Sequence, residues 1–182
     1  AFGGGYDSHF DDLTYGGIAE LGKAIYFVDA TDGTVHFWVG DTDSGADIMH
    51  SDFELPVPGD LTLIDGDEDS LTDTVFFADL KGQIWRLSLD NGAPGQGEAR
   101  NAFGTLTKIA DLGGSGSNDR RFFNRISVSV FSDPNIYNGQ RTYALALGSG
   151  NRAAPRDHSK QNYFYVIFDP VNEDLRTRTT PI

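Results

Sequence analysis

Two hairpin-like units recur about 50 residues apart, and this repeat restricts the fold more than any other feature of the chain. In the first, Tyr26-Phe27-Val28-Asp29 is followed by Gly33-Thr34-Val35-His36-Phe37-Trp38. In the second, Phe76-Phe77-Ala78-Asp79 is followed by Gly82-Gln83-Ile84-Trp85. Each joins an aromatic strand, an Asp-led turn closed by glycine, and a second strand carrying an aromatic. Tyr165-Val166-Ile167-Phe168-Asp169 reads as the opening of a further copy. A period of this length suits the four-stranded blades of a β-propeller. At roughly 45 residues per blade, three to four blades fit the chain. The expected fold is therefore all-β, a modified and partial β-propeller completed by flanking sequence or by a partner.

Strand patterning runs through the sequence, with no convincing amphipathic helix. Residues 125–131 set Ile126, Val128 and Val130 against Ser127 and Ser129, the period-two alternation of a half-buried strand. Residues 83–89 set Trp85, Leu87 and Leu89 against Arg86 and Ser88. Residues 24–28, 75–78, 143–147 and 163–168 are more continuously apolar, which predicts central strands buried on both faces. The 22 glycines and 7 prolines fall mostly between these runs, where turns need them.

Fourteen basic residues against 27 acidic ones give a formal charge of −13. Nucleic acid is not an expected partner, because phosphate binding needs clustered Lys and Arg. The absence of cysteine excludes disulfides, thiol catalysis and Cys-ligated zinc or iron–sulfur centres. No apolar run reaches the roughly 18 residues of a membrane span. The chain begins at Ala1, without an initiator Met, and reads as a segment, residues 1–182, of a single C-terminal domain.

The richest chemical feature is Asp65-Gly66-Asp67-Glu68-Asp69-Ser70-Leu71-Thr72-Asp73. Carboxylates stand at loop positions 1, 3, 5 and 9, and Leu71 at position 7 can offer its backbone carbonyl. Calcium takes six to eight hard oxygens within about 2.6 Å, and this alternation lets one loop supply most of them. Without a cation, each carboxylate pair repels by about 1 kcal/mol in water at 4 Å. Position 6 is Ser70 rather than Gly, and position 12 is Phe76 rather than Glu, so the loop departs from the helical EF-hand. With strands on both sides, it is expected to be a strand–loop–strand calcium site completed by water.

Other clusters are weaker. Asp41, Asp43 and Asp47 have similar spacing, but Gly45 interrupts the series and a solvated loop is expected. Asp7, Asp11 and Asp12 read as surface charge. His9, His36, His50 and His158 show no metal-ligand spacing, and no serine sits in a G-x-S-x-G elbow. Arg120-Arg121 before Phe122-Phe123 reads as a charge-guarded strand edge, with a cation–π patch as the other option.

Several stretches together resemble the C-terminal domain of the PilY (also called PilC) type IV pilus tip proteins. They are F-G-G-G-Y-D at 2–7, G-K-A-I-Y-F-V-D-A at 22–30, L-I-D-G-D-E-D-S-L-T-D-T-V-F-F-A-D-L-K-G-Q-I-W-R-L at 63–87, R-R-F-F at 120–123 and L-A-L-G-S-G-N-R at 145–152. The resemblance implies a modified β-propeller whose calcium ligands are Asp65, Asp67, Asp69, the Leu71 carbonyl and Asp73. It further implies a non-enzymatic protein at the pilus tip or outer surface of a Gram-negative bacterium. Pilus (minor pilin) subunits and the remaining parts of the parent protein would be its partners, and host or abiotic surfaces its adhesion targets. Its roles would be pilus extension against retraction, attachment and twitching motility. The Arg-Gly-Asp motif of some members is absent from this segment, so integrin binding is not implied.

Two other readings compete. One is a quinone (PQQ)-dependent dehydrogenase-like propeller, suggested by the Asp-led turns with aromatics, although Trp38 falls one position late and Trp85 one early for that family's motif. The other is a purely structural propeller.

Overall fold

The computed structural model describes residues 1–12, 19–66, 68, 70–89 and 104–170. Among them are eleven strands and three short 3-10 turns. The first sheet contains β1 (Phe2–Gly3), β2 (Ala24–Val28), β3 (Val35–Gly40) and β4 (Ile48–Met49), in that order. The second contains β5 (Thr62–Ile64), β6 (Thr74–Ala78), β7 (Gln83–Leu89) and β8 (Gly104–Asp111), an antiparallel meander. The third contains β9 (Ser127–Phe131), β10 (Thr142–Gly148) and β11 (Phe164–Pro170), with β10 in the middle. Three successive sheets make a partial propeller of three blades.

The repeat is realised as two matching hairpins. β2–β3 and β6–β7 each turn on an Asp, with Gly33 N–H donating to the Asp29 carbonyl at 2.9 Å and Gly82 N–H to the Asp79 carbonyl at 3.4 Å. Both glycines have positive φ, 77° and 83°, which a Cβ would strain. Of the expected third copy only the first strand falls within the described residues. Residues 165–169 lie on β11, the third described strand of its blade, where Asp169 faces Tyr143 in the ladder, and the turn and second strand of that copy lie outside the described residues.

The second sheet is covered on both sides. Val75, Phe77, Trp85 and Leu87 pack with Ile25, Phe37, Val39 and Phe53 of the first-sheet side. Phe76, Ala78 and Ile84 pack with Ile126, Tyr143, Leu145 and Leu147 of the third. Every residue of β6 is buried, which explains its continuous apolar run. β11 breaks the same expectation: Phe164, Val166 and Phe168 are exposed, while Tyr165, Ile167 and the buried Asp169 turn inward. No described strand follows it at that edge, and its outer face looks away from the other two blades. The outer face of the first sheet is also apolar, where Phe2, Tyr26 and Trp38 form an aromatic row with centroids 5.7 and 5.8 Å apart.

Candidate functional site

Residues 65–73 close the β5–β6 hairpin, whose last pair is Ile64 and Thr74. Asp73 is buried and belongs to the sheet: its N–H donates to the Ile64 carbonyl at 2.9 Å, and its carbonyl accepts from Leu89 N–H at 2.7 Å. Its carboxylate reaches back to accept the Gly66 N–H. Asp65, at the other end of the loop, is exposed. One of its oxygens accepts from Glu68 N–H at 2.8 Å and the other from Ser70 N–H at 2.9 Å.

Those bonds explain an awkward backbone. Glu68 and Ser70 adopt φ of 66° and 73°, the left-handed region that costs a non-glycine residue roughly 1–2 kcal/mol. The Asp65 carboxylate holds both N–H groups in place, winding the loop around its first acidic residue. A carboxylate offers about four lone-pair sites, so these two bonds leave acceptor capacity for a cation. Leu71 is half-exposed, so core packing does not account for its place in the loop. Asp67 and Asp69 lie outside the described residues. The donor set at Asp65, Leu71 and Asp73 is hard oxygen throughout, as calcium requires.

Among the described residues no three His, Asp or Glu side chains gather as a metal site. The second acidic stretch is committed elsewhere. Asp41 pairs with Lys23 at 2.5 Å and takes the Asp43 N–H, while the Asp47 carboxylate accepts Trp38 N–H at 3.1 Å. The histidines sit apart: His9 on Asp7, His36 near Asp29, His50 edge-on to Trp85.

Two sequence expectations need correction. Asp7 is fully buried rather than surface charge, and accepts N–H bonds from His9, Glu20 and Leu21. Burial raises its pKa, but these donors outweigh it and hold the carboxyl below the usual range. Arg120 and Arg121 do not guard a strand edge. Arg120 lies over the Tyr163 ring at 4.8 Å; buried Arg121 lies over Phe10 at 5.5 Å and donates to the Phe10 carbonyl.

Sequence reasoning missed Arg141, which donates from the threshold of β10 to the Gly66 carbonyl. It also missed the Arg86–Asp169 ion pair, 2.7 Å long, which joins β7 to β11. Both contacts span more than 70 residues, so no local pattern announces them. A cavity of about 400 Å³ among Phe10, Leu80, Arg121 and Lys160 lies toward the other end of β6 from the acidic loop. Its cations are already paired, Lys160 with the Gly116 carbonyl and Arg121 with Asp119.

No family model matches the sequence, and no curated protein matches it. A solved structure does: the C-terminal domain of Pseudomonas aeruginosa PilY1, with a TM-score of 0.59 and 19% identity over 93% of this chain. The match takes in 34% of that structure, so this chain spans about a third of its length. The likeness establishes the fold: the chain has the architecture of part of the PilY1 C-terminal domain.

Proposed function

We propose that this chain is the calcium-binding propeller segment of a type IV pilus-associated biogenesis and adhesion protein at the bacterial surface. It would tune pilus extension against retraction and support attachment and twitching, and it would act by binding rather than catalysis. The observation that carries the reading is the closed acidic loop, whose two ends are tied inward by Asp65 and Asp73 on a fold shared with PilY1. Asp65, Asp67, Asp69, the Leu71 carbonyl and Asp73 would hold the ion. Calcium would supply positive charge and a flexible, high coordination number, which magnesium does not tolerate. Asp73 anchors the site to the sheet, and Asp65 shapes the exposed turn.

Calorimetric titration of calcium into wild type and an Asp67→Ala, Asp69→Ala double variant tests the ion. Both substitutions leave the Asp65 and Asp73 ties in place. One binding event in wild type and none in the variant is expected; identical heats would remove the site. The pilus reading is tested in the parent organism with the same double variant, by counting surface pili and measuring twitching zones. Unchanged pili and motility, with export intact, would overturn it.

A further inference from the structure

The Gly66 peptide groups are gripped from two directions. Its N–H is held by Asp73 of the same hairpin, and its carbonyl by Arg141 of the next blade. Arg141 immediately precedes β10, and its guanidinium carbon lies 5.7 Å from the centre of the Tyr143 ring. Tyr143 is fully buried and packs edge-on against Phe76 at 5.1 Å. Phe76 stands three residues beyond Asp73 on β6. Two separate routes therefore lead from the acidic loop to the same tyrosine: Gly66 to Arg141, and Asp73 along β6 to Phe76.

The seam these routes reach is incompletely satisfied. Among the described residues, the Tyr143 hydroxyl and the Arg86 Nε are buried without a hydrogen-bond partner. Buried polar groups in folded proteins are nearly always paired, so the hydrogen bonding of these two groups is sensitive to how the blades pack. The neighbouring Arg86–Asp169 pair crosses the same seam.

We propose that Arg141 is a positioning residue that couples the acidic loop to the packing of the third blade on the second. Loop occupancy would set where Gly66 sits, and Gly66 would set where Arg141 holds the start of β10. This deepens the calcium reading and rests on it for the ligand, but the mechanical link can be tested without calcium. Charge and tether pull in opposite directions: removing Arg141 relieves a cation beside the carboxylates, yet frees the loop. Arg141→Lys separates them, because lysine keeps the charge but lacks the planar fork of donors.

Hydrogen exchange is followed in wild type and Arg141→Lys, each without and with calcium chloride, alongside calorimetry. Without calcium, the amides of Gly66, Glu68 and Ser70 should exchange several-fold faster in the variant. With calcium, wild type should gain protection both in the loop and across β10. The variant should bind about five-fold more weakly and gain protection in the loop alone, since coupled sites typically alter each other's affinity by at least that factor. Equal loop exchange in the two calcium-free proteins overturns the link. So does an equal β10 gain in both, or calcium heat in wild type without any β10 response. Absence of calcium heat in wild type would instead defeat the calcium reading, leaving the calcium-free comparison to decide the link.

Discussion

The indole N–H of Trp85 donates to the carboxylate of Asp79 at 2.8 Å, and both groups are completely buried. The other Asp79 oxygen accepts from Lys81 and Gln83 N–H, so one side chain closes the β6–β7 turn and fastens the largest core residue to it. Burial drives the Asp79 pKa up to about 7, with the three donors pulling the other way. Between about pH 4 and pH 7 the folded chain therefore keeps a proton that the unfolded chain has released. Stability should fall as pH rises through that window, by about 4 kcal/mol at most. Asp169, also raised by burial against the pull of Arg86, adds to the same slope. Asp79→Asn should flatten the profile and cost about 2 kcal/mol, because an amide cannot accept all three donors. Urea unfolding at a series of pH values checks this; a slope unchanged by the substitution would refute the assignment.

The Arg86–Asp169 pair joins two blades with both side chains largely out of water. Breaking such a pair by removing one partner typically costs 3–5 kcal/mol, about what leaving an unpaired buried charge demands, whereas removing both is far milder. Arg86→Met should therefore be clearly destabilising, and Arg86→Met with Asp169→Leu much less so. A double-mutant cycle measures the difference. Additive losses would show that the pair does not couple the blades.

What was legible in the sequence is what depends on local spacing. The Asp-Gly turns could be read because positive φ selects glycine, and the place of the acidic loop between two strands because apolar runs flank it. Contacts that close across blades could not be read. Arg141 and Gly66 share no periodic pattern, Asp7 looks like surface charge until the fold buries it, and Asp79 reads as a turn residue with no sign of its bond to Trp85. The run at 163–168 misled for a different reason. A continuous apolar strand signals burial on both faces, but it cannot say whether the covering layer is part of these described blades. Among the described residues no layer covers that face, and Phe164 and Phe168 are exposed there.

That exposure predicts self-association of the isolated chain. Phe164 is 72% exposed, Val166 54% and Phe168 49%, on a strand with no described neighbour beyond it. Unpaired edges and large apolar patches invite association. Light scattering should show concentration-dependent oligomers, and Phe164→Thr with Phe168→Thr should shift the chain toward monomer without loss of fold. A monodisperse wild-type monomer would contradict this.

Removal of calcium should act locally. Neither of the two large cores contains a described residue of the 65–73 loop, and the Asp73 backbone bonds to Ile64 and Leu89 need no cation. A chelated sample should therefore keep its far-UV β signal while the loop amides lose protection. Binding would still favour the folded form by mass action, about 2.7 kcal/mol at a hundredfold excess over Kd. Magnesium at the same concentration should stabilise less, because the loop offers a flexible wrap instead of a tight octahedron. Thermal melts with calcium, magnesium or chelator separate these outcomes. Collapse of the β signal on chelation would mean that the ion holds the blades together, and that the apolar seams around Phe76 and Trp85 do not suffice alone.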